Sequence, residues 1–132
     1  MKALDRFGPL VGRFLLGLIF IIAGYGKIMG YAGTAGYMAS KGMPLVPLLL
    51  PLTILLELGC GLMLVLGWRA RLAAFILFLF IIPTTLIFHN FWASPPAQVQ
   101  SQMNNFLKNL AIMGGMLYVM VYGSGAISVG KS

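Results

Sequence analysis

The sequence predicts an all-α membrane protein, a four-transmembrane-helix bundle that forms one domain over residues 1–132. Two observations predict it. Hydrophobic residues make up 60% of the chain and charged residues only 8%, whereas soluble domains carry about 25% charged residues. Four apolar runs are also long enough to cross, as helices, a hydrocarbon layer about 30 Å thick, and they cover residues 10–29, 45–67, 70–89 and 104–123. An ordinary water-soluble domain is therefore excluded.

The breaks between the four runs have the composition of turns. Glycines end the first run, and the segment 31–41 fits either a short helix at the membrane surface or a plain loop. Gly67 and the two residues after it form a turn so short that the second and third runs must pair as a hairpin. A polar, proline-containing loop precedes the fourth run.

Lysine and arginine are divided unequally between the two ends of the predicted bundle. Four crossings place both termini on one side, which together with the second turn holds six cations: Lys2, Arg6, Arg13, Arg69, Arg71 and Lys131. The opposite side holds three: Lys27, Lys41 and Lys108. Because short loops rich in Lys and Arg stay cytoplasmic, we expect both termini in the cytoplasm of a bacterium, with the chain in its inner membrane and the other end facing the periplasm.

The net charge of +7 does not indicate a nucleic-acid-binding protein, because the cations are scattered singly between apolar runs. Cys60 is the single cysteine, so the chain can form neither an internal disulfide nor a CxxC pair, and no Cys/His spacing indicates a metal site. We therefore expect no nucleic-acid partner and no bound metal. Glycine pairs at four-residue spacing, such as Gly8 and Gly12, leave a homo-oligomer open.

Arg13 and Glu57 are the charges predicted to lie deepest in the bundle. Glu57 and Asp5 are the two acids of the chain. At about 1.5 Å per residue, Arg13 lies about 24 Å and Glu57 about 18 Å from the outer ends of their spans. Since an unpaired charge at that depth is costly, we predict a buried Arg13–Glu57 pair, with a structural role favoured over a proton relay.

A second polar group is predicted at the outer end, where the sequence places no acid. It comprises Lys27, His89, Asn105, Lys108 and Asn109. The two asparagines flank Lys108 on one helix face, so the three side chains place several hydrogen-bond donors in a region that has no carboxylate to accept from them. This indicates a ligand that brings oxygens, such as a quinone, a small oxyanion or a lipid headgroup. The alternatives are lysines that extend to phospholipid headgroups and a structural histidine, although His89 could also transfer a proton near neutral pH.

Taken together, the chain resembles the DoxX family of small bacterial four-helix membrane proteins. The pieces that carry the resemblance are spread over nearly the whole chain: Arg13-x3-Gly17-x2-Phe20-x2-Ala23-Gly24 with Lys27, Tyr37-Met38-Ala39 before Gly42-Met43-Pro44, Leu56-Glu57-x3-Gly61 before Gly67-Trp68-Arg69, His89-Asn90-Phe91-Trp92, and Phe106-Leu107-Lys108-Asn109-Leu110-Ala111 with Gly114-Gly115.

The resemblance implies a protein of the cytoplasmic membrane. The family takes its name from a subunit of a membrane thiosulfate:quinone oxidoreductase, and other members are linked to membrane redox complexes and to oxidative or sulfur stress. The resemblance supplies no catalytic residues, so whether the chain is an enzyme stays open. We expect a subunit that binds quinone or a small oxyanion and works with a redox partner protein. The alternative is a non-enzymatic lipid-binding protein, scaffold or small transporter.

Overall fold

Five α-helices make up the computed structural model, which describes residues 1–130. In chain order they are α1 (Lys2–Met29), α2 (Tyr31–Ser40), α3 (Val46–Leu66), α4 (Ala70–Phe88) and α5 (Val99–Tyr122), with short 3-10 turns at Phe91–Ala93 and Pro96–Gln98. The segment 31–41, which the sequence left open, is therefore mostly a helix. The α3–α4 hairpin is confirmed, and Gly67 ends α3 in the left-handed conformation that favours glycine, with φ of 77°.

The four long helices pack in a ring. α1 packs against α3, α3 against α4, and α4 against α5. The ring closes where Gly115 of α5 faces Leu16 of α1, so closely that a Cβ atom at Gly115 would lie 3.1 Å from the leucine side chain. The buried core between the helices includes Leu64, Leu77 and Met116.

The tightest helix contact joins α1 to α3 through two glycines. A Cβ atom at Gly17 would lie 2.6 Å from the carbonyl oxygen of Gly61, and one at Gly61 would lie 3.0 Å from the carbonyl oxygen of Gly17. The two backbones touch because neither residue has a side chain. Such contacts between small residues are common where helices pack in lipid. Lipid tails are as apolar as the side chains, so the hydrophobic effect does not drive the helices together and close packing must do so.

The outside of the bundle is apolar, as a surface against lipid requires. Large hydrophobic side chains such as Ile22 and Leu55 are exposed on the long helices. Within the described residues, three helical stretches are long and apolar enough to cross a membrane: Lys2–Met29, Val46–Leu66 and Ala70–Ala93. The first half of α5 is more polar, so the fourth crossing and the shared side of the termini remain predictions. Lys131, counted in that orientation argument, lies outside the described residues.

Candidate functional site

Glu57 forms an ion pair with Lys27, not with Arg13. The Lys27 Nζ and Glu57 Oε1 atoms are 2.7 Å apart. The Glu57 side chain is only 5% exposed and that of Lys27 is 28% exposed, so the pair joins a buried carboxylate to a lysine whose stem is partly open. The predicted Arg13–Glu57 pair is therefore wrong, and so is the premise that the outer cations lack a protein counter-ion.

Arg13 instead binds backbone carbonyls near the opposite end of the bundle. Its Nη1 donates to the carbonyl oxygens of Leu64, at 2.9 Å, and Val65, at 3.3 Å. Its Nη2 donates to the carbonyl oxygen of Ile127. The residue is 1% exposed. Arg13 thus ties α1 to the last turn of α3 and to the chain segment that follows α5.

The offset between α1 and α3 explains why Glu57 pairs with Lys27 and not with Arg13. Gly17 lies opposite Gly61, and Gly24 lies against Leu58, which sets Glu57 level with the last turns of α1. Eleven residues of α3 precede Glu57, but only two residues of α1 follow Lys27. α3 therefore extends beyond α1 by about 13 Å at this end. The predicted depths of Arg13 and Glu57 assume that the outer ends of α1 and α3 lie at the same height, which is not the case.

The Lys27–Glu57 pair lies at the wall of a cavity of about 380 Å³, which we call the α2 cavity. Helices α1 to α4 all contribute to its lining, which comprises Lys27, Thr34, Tyr37, Met38, Met43, Leu49, Thr53, Glu57, Phe80, Pro83, Thr84, Ile87, Phe88 and His89. The lining is largely apolar, with a few hydroxyl groups, one imidazole and one ion pair.

Helix α2 is held over this cavity by the packing of its Tyr37 ring on α4. The rings of Tyr37 and Phe88 stack with centroids 5.5 Å apart. Lys41, just after α2, places its Nζ 5.7 Å from the centre of the Tyr37 ring. The short helix that the sequence left undecided is therefore one wall of the candidate site.

The structure divides the five residues of the predicted outer cluster. Lys27 and His89 both line the α2 cavity. Three α5 residues do not: Lys108 is exposed, Asn105 is half-buried, and the Asn109 Nδ2 atom donates to the Thr85 hydroxyl at 2.9 Å. The structure thus does not bring the five predicted side chains together in one cavity.

His89 is oriented by a residue that the sequence reasoning did not use. Its Nδ1 atom is 2.9 Å from the Gln102 Oε1 atom of α5. Thr34, Tyr37 and Thr53 also line the cavity, although the sequence does not predict them as site residues. Of these three residues, Thr53 is the one that the sequence links to the site, because it lies four residues before Glu57 and so shares a helix face with it.

Comparison with known proteins gives consistent results along the chain. The family model described as DoxX matches residues 8–90, a segment that contains every residue lining the α2 cavity. Inner membrane protein YqjF of Escherichia coli (strain K12) is 44% identical over 131 residues, covering 99% of this chain and 95% of that protein. Inner membrane protein YphA of the same strain is 36% identical over 122 residues, covering 92% and 87%. No solved structure matches the chain.

Proposed function

The chain belongs to the DoxX family and is an integral inner-membrane protein, and from this premise we propose that its α2 cavity binds the head group of a quinone. In this proposal the chain serves as the membrane subunit of a redox complex. One observation carries it: a largely apolar cavity of about 380 Å³ holds a charge-balanced Lys27–Glu57 pair in its wall. Small-molecule sites are typically about 300–1,000 Å³ and apolar, with few polar groups.

The charge balance favours a neutral quinone over a small oxyanion. An oxyanion would have to compete with the Glu57 carboxylate, which already lies 2.7 Å from the Lys27 ammonium. A quinone carbonyl needs only a donor, and an ammonium group has three, of which Glu57 uses one. The remaining Lys27 donors and the hydroxyl of Thr53 or Tyr37 can serve a carbonyl oxygen.

The apolar lining suits the rest of a quinone ring. Met38 and Phe80 offer apolar surface in the same cavity as the polar groups. A quinone, when bound, supplies two-electron redox chemistry, while the residues of this chain bind and orient its head group and keep water from it. The electrons would be exchanged with a redox partner protein.

Binding of decylubiquinone, a short-tailed quinone, to the purified protein in phosphatidylcholine nanodiscs tests the proposal. Thr53→Phe fills the cavity, and Leu52→Phe adds a similar ring at the neighbouring position, which is exposed on the outside of α3. We expect Thr53→Phe to weaken binding at least about tenfold, which corresponds to about 1.4 kcal/mol, and Leu52→Phe to bind as the wild type does. Equal binding by both variants, each with wild-type helicity, would contradict the proposal.

A further inference from the structure

A second cavity lies between α1 and α5, far from the α2 cavity. It measures about 560 Å³ and we call it the α1–α5 groove. Gly12 and Leu16 of α1 line it, as do Gly115, Tyr118 and Tyr122 of α5. Arg13, which also lines it, precedes Lys27 by 14 residues of the same helix, or about 21 Å. The groove is therefore a separate site from the proposed quinone site.

The Arg13 side chain brings a buried positive charge to this groove. Its three hydrogen bonds go to neutral carbonyl groups, and its Nε atom has no hydrogen-bond partner within residues 1–130. Glu57 is engaged by Lys27, and Asp5 precedes Arg13 by eight residues of helix, or about 12 Å. No carboxylate side chain within residues 1–130 therefore neutralises Arg13, although a buried charge is costly without a counter-ion.

The surroundings of the groove are those of a membrane boundary. Arg13 lies against Gly67 in the α3–α4 turn. Tyr118 and Tyr122 are 70% and 74% exposed, with their rings stacked at 6.0 Å, and exposed tyrosines are typical of the headgroup level. The exposed cations Arg69 and Arg71 belong to the same end of the bundle. Positive charge thus accumulates where lipid phosphates lie.

We propose that the α1–α5 groove binds an anionic phospholipid. The phosphate lies in the groove near Arg13, whose buried guanidinium attracts it without direct contact, since a charge in a low-dielectric interior acts over several ångströms. One acyl chain occupies the apolar part of the groove, where Gly12 leaves room for it. The lipid supplies the negative charge that the acidic side chains do not, and it lies beside the contact of Leu16 with Gly115 that closes the ring.

Two glycine substitutions on the same helix test this site. A Cβ atom at Gly12 would meet nothing within 4 Å in the described part of the chain, and the same holds at Gly26. The first atom of a new side chain therefore meets no obstacle at either position, and both changes to leucine favour the helix. Gly12 lines the groove, whereas Gly26 is exposed and lines neither cavity. Gly12→Leu thus fills the lipid site and Gly26→Leu is its matched control.

The assay is native mass spectrometry of the purified full chain in detergent, with phosphatidylglycerol, phosphatidylcholine or inorganic phosphate added. We expect the wild type and Gly26→Leu to retain phosphatidylglycerol at least about tenfold better than phosphatidylcholine, and Gly12→Leu to lose this preference. Arg6→Gln, which removes an exposed cation, should keep it. Equal retention of the two lipids, unchanged retention by Gly12→Leu, or binding of inorganic phosphate as strong as that of the lipid would each overturn the proposal.

Discussion

The Lys27–Glu57 pair predicts an unequal response when either partner is removed. Lys27→Met leaves a carboxylate that is 5% exposed, whereas Glu57→Gln leaves a lysine that is 28% exposed. That lysine lies two residues before the end of α1, so its flexible stem can carry the ammonium towards the membrane surface. The stranded carboxylate has no such route. Lys27→Met should therefore be the more destabilising change.

The magnitudes follow from burial. Removing one partner of a buried ion pair costs about 3–5 kcal/mol, and we expect Lys27→Met to fall in this range. For Glu57→Gln the partial exposure of Lys27 reduces the expected cost to about 1–2 kcal/mol. The double variant carries no charge at the site, and because neutral replacements of buried pairs are often tolerated, it should lose about 1 kcal/mol. The sum of the two single effects should then exceed the effect of the double change by at least about 3 kcal/mol.

The measurement is reversible unfolding of the purified protein in mixed micelles by increasing sodium dodecyl sulfate, followed by circular dichroism. Lys108→Met is the control, because it removes a lysine that is exposed on α5 and should change the free energy of unfolding by less than about 0.5 kcal/mol. Additive effects of the two single substitutions would refute the pairing. A larger loss from Glu57→Gln than from Lys27→Met would refute the argument from exposure.

Three further predictions concern packing, anchoring and orientation. Gly17→Ala should destabilise the protein by about 1–3 kcal/mol through overpacking, since its Cβ atom would lie 2.6 Å from a backbone oxygen. Gly12→Ala should be neutral or stabilising in the same unfolding assay, and equal effects of the two changes would contradict the close contact at Gly17. Arg13→Gln should cost about 2–4 kcal/mol, because one buried and two partly buried carbonyl acceptors lose a charged donor. An unfolding midpoint equal to that of the wild type would contradict this prediction. A cysteine at Ala97 should react with an impermeant thiol reagent from the periplasm and one at Ala3 should not; the reverse labelling would invert the predicted orientation.

The helix boundaries were predictable where hydrophobicity alone decides them. The predicted spans 45–67 and 70–89 differ by one residue at most from α3 and α4, because both helices end where the apolar run ends. The predicted spans 10–29 and 104–123 begin later than α1 and α5 do. Both helices continue into polar residues at their start, and hydropathy cannot detect helix that extends beyond the hydrocarbon layer.

The candidate site was predictable only in its parts. Lys27, Glu57 and His89 stand out in the sequence as polar groups within apolar runs, because burying such groups in lipid is costly. Their partners depend on how far one helix is shifted along another, and that shift is set by the contact of Gly17 with Gly61. Periodicity gives the face of a residue but not this shift. For the same reason it could not indicate that Tyr37 of α2 covers the cavity.

The three acceptors of Arg13 have a consequence for how the chain is made. Leu64 and Val65 follow Arg13 by 51 and 52 residues, and Ile127 follows it by 114. At a synthesis rate of about 5–20 residues per second, the last acceptor leaves the ribosome roughly 6 to 23 s after the arginine does. Leu64 and Val65 are made within about 3 to 10 s of the arginine, so Arg13 gains two of its acceptors well before the third. The contact of α1 with α3 can therefore form first, and the segment after α5 completes the set of acceptors last.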